Sequence, residues 1–433
     1  MRLTGRPGQK GPRVSETFEF KWFVGVDWGS DAHALCLVDA QGQVRGRRTV
    51  AHTAVAVHEA VQWIGEQTGT APEAMALGIE TPRGVLVDTV IERGFCVFAL
   101  NPKQLDRFRD RFTVAGAKDD AEDAHVLADA LRTDRRAFRR VRPDDPLIIQ
   151  LREVTRLRED LQEDESRLTN RLRDQLYRVD AAWLTLSPAA DEPWLWIILA
   201  EAPDPALWAQ LTRRRIAAAL RAHRIRRVSA DDVLHAVRQP RLTGAPGVAD
   251  AVALRLAALV PQLQLVHEQR TTAERRIDRL LERLATVEGT EGESQEHRDV
   301  EILQSLPGVG RIVAATMLTE ATGPVAERDY LTLRAQTGAA PVTKRSGKRA
   351  FFVHMRYACK GRLRQAVYHW SRTSIQRDAG ARAYYDALRA RGHSHGRALR
   401  SVGDRWLRIL IAMLKTKTLY DASRFAPLEA TPA

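Results

Sequence analysis

Four acidic residues stand in a fixed order beside short apolar runs, and they limit what this chain can fold into. Asp27 closes one apolar run, Glu80 closes another, and Asp120 and Asp123 lie three apart in a segment with helical spacing. The last two therefore share one face of a helix. A carboxylate at the end of a buried strand is costly unless a cation binds it. An all-acid set of hard oxygen ligands predicts Mg²⁺, and a pair of such ions is a common device for cutting phosphodiester bonds.

Each acid also has an ordinary explanation when it is taken alone. Exposed Asp and Glu are frequent near strand ends, and acids at a helix start are favoured by the helix dipole. Asp119 lies four residues before Asp123 and could replace Asp120 on spacing alone. The order of strand, strand and helix, rather than any single acid, indicates a metal site.

Size and composition indicate a folded cytoplasmic protein without a membrane partner. The chain has 433 residues, 44% of them hydrophobic, which allows roughly two or three domains. Its apolar stretches are far shorter than the about 20 residues that span a bilayer. Residues 1–20 are basic with no apolar segment after them, which predicts a disordered tail rather than a secretion signal. The three cysteines are far apart and fit neither a disulfide framework nor a zinc motif.

Positive charge is concentrated near the end of the chain. The net charge is +13, and residues 341–420 alone contain 19 Lys and Arg against three acids. A polyanion is the natural partner, and nucleic acid is the first candidate, with a nucleoid-associated location. The alternative is a solvated basic face without a specific partner.

The first part of the chain alternates between strand and helix patterns. Buried strands are expected at 22–27, 74–80 and 95–100, and the segments 33–38 and 44–50 flank a turn that indicates a hairpin. Helical spacing follows between and after these strands. The pattern predicts an α/β sheet with antiparallel and parallel parts.

Two long segments have apolar residues at intervals of three, four and seven. They span 147–177 and 254–287, and Pro261 is expected to kink or restart the second one. Together they predict an antiparallel coiled-coil arm with a small helical insert at 178–250. The predicted domains are a tail (1–20), an α/β domain (21–140), the arm with its insert (145–290), a C-terminal domain (300–421) and a second tail (422–433).

Three short strings carry a resemblance to a known family. Residues 25–29, 78–82 and 119–124 resemble the metal-binding strings of the RNase H superfold, in its Holliday-junction-resolvase-like branch. They are similar to those of the DEDD transposases of bacterial insertion sequences, relatives of the Piv DNA invertase. The resemblance covers residues 22–133 and resumes near residue 300. It implies an α/β RNase H-like (RuvC-like) N-terminal domain, a long coiled-coil helical arm and a mainly helical C-terminal DNA-binding and catalytic domain.

The same resemblance assigns roles to the four acids. It implies that Asp27, Glu80, Asp120 and Asp123 are catalytic residues and the ligands of Mg²⁺. The reaction implied is the cutting and rejoining of DNA strands by a transposase.

A second family pattern lies in the C-terminal domain. Gly338 and Pro341 form Gly-x-x-Pro, and Ser346 follows with Gly347 in a basic segment. A serine before glycine is usually a turn residue. In the family it is the nucleophile that joins DNA covalently, so the resemblance implies this role for Ser346. No histidine lies beside it in the sequence, but His354 could reach it across a hairpin. Alternatively, a metal held by the four acids could lower the proton affinity of the serine. The predicted nucleic-acid contacts are Lys344, Arg345, Lys348, Arg349, Arg356, Lys360, Arg362 and Arg364.

The turn at residues 306–310, with sequence LPGVG, precedes another helical segment. It is similar to half of a helix–hairpin–helix DNA contact, because backbone N–H groups at a helix start can bind phosphate. A plain tight turn is the alternative.

The resemblance also implies partners. An RNA encoded by the element, a bridge RNA, would pair with donor and target DNA and leave the protein to bind backbone and shape. The apolar seams of the arm predict a homodimer, and strand exchange predicts a tetramer of two dimers at the synapse.

Two other functions fit the sequence. One is a Mg²⁺-dependent Holliday-junction-type endonuclease that uses the same four acids with water as nucleophile, and the other is a non-catalytic basic coiled-coil protein. A covalent protein–DNA adduct separates the transposase from the endonuclease, and substitution of the acids separates both from the non-catalytic protein.

Overall fold

The structure of the chain is a computed structural model, and it describes residues 20–111, 119–141, 145–239, 245–286, 298–344 and 352–425. The chain divides into two compact units at residue 144. The second unit contains both long helices and the C-terminal helices.

The first unit is built on a six-stranded mixed sheet. Its strands are β1 (Trp22–Asp27), β2 (Ala32–Asp39), β3 (Val44–Ala51), β4 (Met75–Ile79), β5 (Cys96–Ala99) and β6 (Arg139–Arg140). The order across the sheet is β3-β2-β1-β4-β5-β6. β1 is antiparallel to β2 and parallel to β4, so the predicted combination of antiparallel and parallel pairs is confirmed. β6 was not expected, because it consists of two arginines, which give no apolar strand pattern. It pairs antiparallel with β5.

Four helices cover the two faces of this sheet. They are α1 (Ala54–Thr68), α2 (Val85–Glu92), α3 (Pro102–Arg109) and α4 (Asp120–Asp134). Alternate residues of a strand point to opposite faces. Accordingly, Val24 and Val26 join the core beneath α1 and α2, while Phe23 joins the core beneath α4.

Two glycines on neighbouring strands allow α4 to pack close to the sheet. Gly25 of β1 lies directly opposite Gly78 of β4. A Cβ atom on Gly25 would lie 1.9 Å from the carbonyl oxygen of Ala124, and one on Gly78 would lie 3.2 Å from that of Leu127. The backbone of α4 therefore rests on the strands where no side chain intervenes.

The second unit begins with two long helices that pack side by side. They are α5 (Pro146–Val179) and α10 (Val248–Thr286). Arg158 contacts Glu274 and Glu165 contacts Arg270, so residue numbers rise along one helix as they fall along the other. The predicted antiparallel pairing of the two segments agrees with these contacts.

Pro261 does not restart the second helix, so of the two expected effects, a kink or a restart, the restart is wrong. The helix is continuous from Val248 to Thr286 with Pro261 inside it. A proline removes one backbone hydrogen bond. Here the position is exposed, so water can replace the lost bond. By length and composition α10 would also be able to cross a membrane, but its Val252, Leu256 and Leu263 are buried in a core of the protein.

A polar network separates the two hydrophobic cores of this unit. The Glu274 carboxylate accepts from Arg158 at 3.1 Å, from Arg270 at 2.8 Å and from Arg311 at 2.9 Å. Glu165 is bound by Arg270 at 2.5 Å. On one side lies the core that contains Leu151 and Ile277, and on the other lies the core that contains Leu168 and Leu263.

The insert between the long helices forms a small helical cluster. Its helices are α6 (Ala182–Leu186), α7 (Pro193–Glu201), α8 (Arg213–Ala222) and α9 (Ala230–Arg238). Trp183, Trp194, Trp196 and Trp208 are almost fully buried at its centre. The indole N–H groups of Trp196 and Trp208 donate to the carbonyls of Ala190 and Ala202 at 2.8 Å, so these tryptophans also fix the turns between helices.

The last part of the chain is mainly helical, as predicted. Its elements are α11 (Asp299–Ser305), α12 (Arg311–Glu320), α13 (Thr322–Ala326), α14 (Tyr330–Gln336), β7 (Val342–Lys344), β8 (Phe352–His354), α15 (Gly361–Arg377), α16 (Ala379–Ala390) and α17 (His395–Thr416). Trp370 of α15 and Trp406 of α17 stack with ring centroids 5.9 Å apart. Leu151, Ile277 and Leu280 of the long helices are buried in the same core, which explains why the arm and the C-terminal helices form one unit.

The glycine contact under α4 yields a stability prediction. Gly25→Ala should lower the free energy of unfolding by about 1–3 kcal/mol or more, because the added methyl group meets rigid backbone. Gly65→Ala is the control: Gly65 lies inside α1 with no atom within 4 Å of an added Cβ, so it should gain about 0.5–1 kcal/mol. Denaturant unfolding followed by circular dichroism measures both. Equal effects of the two substitutions would contradict the close packing of α4.

Candidate active site

Asp27 and Glu80 lie next to each other at one end of the sheet. Val26 is paired with Ile79 in the parallel β1–β4 ladder, and the two acids are the residues that follow. Each comes two positions after a glycine that contacts α4. Strand alternation, continued one residue past β4, assigns both acids to the face covered by α4.

The direction of α4 brings its first turn to the same end. Arg135, just after α4, places its guanidinium 5.0 Å from the ring centroid of Phe20, which precedes β1. The C-terminal end of α4 therefore lies at the beginning of β1, and α4 runs antiparallel to that strand. Its N-terminal turn, with Asp120 and Asp123, lies towards the strand ends that carry the other two acids.

The structure favours Asp120 over Asp119 as the predicted metal ligand. Asp119 is the N-cap of α4, and its side chain accepts a hydrogen bond from the N–H of Ala121 at 3.2 Å. Asp120 is the first helical residue and is exposed. The carboxylate of Asp119 thus has a local role in starting the helix, whereas that of Asp120 is open to a ligand.

Asp123 is buried and forms an ion pair with an arginine. Its side chain is 4% exposed, and Arg109 of α3 donates from Nε to Oδ1 at 2.7 Å. This hydrogen bond, together with the charge of Asp123, raises the pKa of Arg109. Arg109 also contacts Asp106 at 3.0 Å. Arg109 therefore neutralises the most buried acid of the set, a contact that no local pattern in the sequence indicates.

The acids do not form a closed ligand set as they stand. Within the ranges that the structure describes, no group of three or more His, Cys, Asp or Glu residues is placed to hold a metal ion. Four carboxylates without a cation repel one another, and Arg109 occupies one of them. Their convergence on Mg²⁺ stays a prediction, although carboxylate oxygens at one end of a sheet are the donors that Mg²⁺ prefers.

A histidine pair at the turn that follows Asp27 was not identified from the sequence. His33 of β2 is fully buried. Its Nδ1 accepts from the N–H of Gly29 at 3.3 Å, and its Nε2 lies 2.9 Å from Nδ1 of His52. Burial and then the neighbouring His52 lower the pKa of His33, so the ring is neutral at neutral pH. It fixes the turn that follows Asp27, and a lone histidine in a strand pattern gives no signal of this.

The structure describes the residues on either side of Ser346 but not Ser346 itself. β7 and β8 pair antiparallel, with Val342 opposite His354 and Lys344 opposite Phe352. Ser346, with Arg345, Lys348 and Arg349, belongs to the connection 345–351, which lies outside the described residues. Its role as nucleophile stays a prediction.

The remaining predicted nucleic-acid contacts have different surroundings. Arg362 is bound to Glu159 of α5 at 2.5 Å and lies 3.8 Å from Asp160. Lys360 precedes α15 and donates to the carbonyl of Glu320 at 2.5 Å. Arg364 is half-buried on α15, and Arg356 lines a cavity. The charge of Arg362 is thus already paired inside the protein.

The turn at residues 306–310 faces inward. Gly308 has a φ of +82°, and a Cβ on it would lie 2.6 Å from the backbone nitrogen of Ser374. The carbonyl of Pro307 accepts from the indole of Trp370 at 3.0 Å. These contacts explain the glycine by packing against α15, which favours the plain-turn alternative.

Comparison with known proteins gives a consistent result. A family model for DEDD transposases of the IS110 type, described as "Transposase", matches residues 24–179, and a second, described as "Transposase IS116/IS110/IS902 family", matches residues 300–386. The first match contains the sheet and all four acids. The second contains β7, β8 and the connection that carries Ser346.

Two curated relatives extend the comparison, one of them to nearly the whole chain. "Mini-circle putative transposase for IS117" of Streptomyces coelicolor is 30% identical over 94% of this chain and 97% of its own length. "Putative transposase y4uE" of Sinorhizobium fredii is 45% identical, but the match covers 48% of this chain and 58% of that protein. The sheet, the acidic end and these matches define the class as DNA transposase. The chain belongs to the IS110/IS116/IS902 family of insertion-sequence transposases.

The Arg109–Asp123 contact yields a prediction about metal. Arg109→Gln should lower the free energy of unfolding by about 1–3 kcal/mol without metal, because Asp123 loses its charged partner. Mg²⁺ should then raise the melting temperature more in the variant than in the native protein, since the vacated carboxylate can hold the ion. Thermal unfolding with and without Mg²⁺ measures this.

Arg107→Gln is the matched control for this experiment. Arg107 lies on the same helix and is exposed, so its removal changes the charge equally without freeing Asp123. Equal stabilisation of all three proteins by Mg²⁺ would show that Asp123 does not take part in metal binding.

Proposed function

We propose that this transposase cuts and rejoins DNA strands with Mg²⁺ held by Asp27, Glu80, Asp120 and Asp123 and with Ser346 as the nucleophile. One observation carries the proposal. The paired glycines beneath α4 and the direction of that helix support a common site for the four acids, because the ends of β1 and β4 and the first turn of α4 lie towards the same end of the sheet. A relative that matches nearly the full length is named a putative transposase, which supports a transposition reaction.

The residues divide the work by charge and reactivity. The carboxylates hold the metal, which when bound would neutralise the phosphate and ease deprotonation of the nucleophile. The Ser346 oxygen would attack phosphorus as its proton leaves: an O–P bond forms, the bond to the leaving sugar oxygen breaks, and that sugar oxygen takes up a proton to become a hydroxyl. Lys344, Arg345, Lys348 and Arg349 surround this serine in sequence and would balance the charge that develops on the phosphate oxygens.

A guide RNA is part of the proposal because the resemblance to the family implies one, and the charge distribution fits a nucleic-acid partner. Residues 341–420 carry 19 basic and three acidic residues, a surface suited to nucleic-acid backbone rather than to a particular base sequence. An element-encoded RNA that pairs with donor and target DNA would supply the sequence choice. The protein would then bind the backbone of both nucleic acids.

Dimerisation is the remaining part of the proposal. The long helices α5 and α10 keep large apolar side chains at the surface, with Leu157, Leu254 and Leu265 more than half exposed. A second copy would cover such residues. Two dimers would then manage the four strand ends of an exchange as a tetramer at the synapse.

Substitution of neighbouring acids tests the metal set. Asp120→Asn should reduce DNA cleavage at least about 100-fold, because loss of a metal ligand exceeds the 10–100-fold effect of outer-shell partners. Asp119→Asn should leave cleavage nearly unchanged, because asparagine also caps a helix well. Cleavage of the element's end DNA over time measures both rates. If Asp119→Asn were inactive and Asp120→Asn active, Asp119 would be the metal ligand and Asp120 would not.

A trapped adduct tests the nucleophile. The native protein should form a covalent complex with DNA that survives denaturing electrophoresis, and Ser346→Ala should form none while still binding DNA, because the hydroxyl supplies chemistry rather than charge. Ser166→Ala, at an exposed position of α5, is a control for removing a hydroxyl from the same unit. Strand cleavage by Ser346→Ala without any adduct would favour the endonuclease that uses water.

A further inference from the structure

A strongly basic cavity lies at the base of the β7–β8 hairpin. It has a volume of about 270 Å³ and lies between α14, the hairpin, the segment after β8 and the start of α17. The basic residues that line it are Arg334, Arg356, Arg397, Arg400, His354 and His393. The sequence reasoning singled out only one of the four arginines, Arg356, as a nucleic-acid contact.

The charge of this cavity is largely uncompensated. Asp404 is the only acid among its described lining residues. That carboxylate is already engaged, because its Oδ1 accepts from Arg334 Nε at 2.7 Å and from the Tyr330 hydroxyl at 2.7 Å. Three arginines therefore face the cavity without an acidic residue of its lining to pair with, which is unfavourable unless an anion enters.

Two buried nitrogen atoms at the cavity have no hydrogen-bond partner within the described part of the chain. They are Nε of Arg356 and Nδ1 of His393. Buried polar atoms are nearly always hydrogen-bonded in folded proteins, and an exception requires an explanation. An oxygen-rich anion in the cavity would accept from both.

The Gly-x-x-Pro pattern shapes this cavity. Gly338 has a φ of +75°, and a Cβ on it would lie 3.0 Å from Sγ of Cys359 and 3.4 Å from the carbonyl oxygen of Arg356. Gly338 and Pro341 both line the cavity. The glycine therefore lets the chain approach the segment that carries Arg356, just before β7 begins.

We propose that this cavity binds one phosphate group of a nucleic-acid strand, held by Arg356, Arg397 and Arg400. Arginine forks match phosphate oxygens in pairs. A strand anchored here would enter the β7–β8 hairpin, whose connection contains Ser346, at a fixed register. The inference rests on the proposed function in one respect, which is that the phosphate belongs to a nucleic acid. The cavity itself requires only an anion.

His393 provides a reporter inside the cavity. Burial first, and then the charges of Arg397 and Arg391, lower its pKa. The other charged and titratable groups around the cavity are His354, Arg356, Arg334 with Asp404, and Arg400. A phosphate bound among them would add negative charge next to the ring and raise the pKa of His393.

Nuclear magnetic resonance of the full chain labelled at the histidine rings tests the proposal. With inorganic phosphate, compared with chloride at equal ionic strength, the pKa of His393 should rise by about one unit. A short oligothymidylate should produce the same rise. A rise with inorganic phosphate but none with the oligonucleotide would overturn the assignment to nucleic acid, and no rise with either would overturn the site.

Variants separate this site from general charge effects. Arg400→Gln should abolish the rise, and so should Arg397→Gln, whose side chain is exposed and whose removal does not endanger folding. Arg372→Gln removes an exposed charge from α15 outside the cavity and should leave the rise intact. An unchanged rise in both cavity variants would contradict the proposal. None of these measurements depends on cleavage, so failure of the metal or serine assignment is recognised separately.

Discussion

The contact between α4 and the two opposed glycines is the constraint on which the first unit depends. Gly25 and Gly78 face each other across β1 and β4, and the helix backbone lies where their side chains would be. The contact sets the distance between α4 and the sheet. The parallel pairing of β1 with β4 sets the positions of the two acids that follow the glycines. Without it, the acids of the helix and those of the strands would have no reason to lie at the same end.

The price of that arrangement is a buried carboxylate. Asp123 is 4% exposed, and an ionised group at such a position needs a partner. Arg109 supplies one from α3, a separate helix. In the proposed chemistry the arginine keeps the site folded before a metal arrives, and binding of the ion becomes an exchange of one cation for another.

The sequence predicts the parts of the site that depend on local pattern. Apolar runs predicted β1 and β4, helical spacing predicted α4, and the acids at their ends predicted where a site would form. The partner of Asp123 could not be predicted, because Arg109 reaches it through tertiary contact alone. The same holds for the basic cavity, whose arginines come from α14, α17 and the segment after β8 and meet only in the folded chain.

Other differences have equally physical causes. Pro261 was expected to interrupt α10, but an exposed position lets water satisfy the freed carbonyl. β6 has no apolar pattern, because both of its residues are arginines, and it pairs antiparallel with β5. The long helices were expected to form a separate arm, yet Leu151 and Ile277 enter the core of the C-terminal helices. Periodicity identifies an apolar face, but it does not identify what that face packs against.

The polar network across α5 and α10 has a consequence for how this protein family can diversify. Glu165 and Glu274 with their arginines lie between two hydrophobic cores that share no residue. Charged groups that must pair across two helices can specify their register, and this layer joins α5 to α10 through Arg158–Glu274 and Glu165–Arg270. The helical insert on the far side of the network, including the four-tryptophan cluster, can then be exchanged as a unit. Lengthening, shortening or replacing this insert would leave the register of α5 against α10 unchanged on the other side of the network.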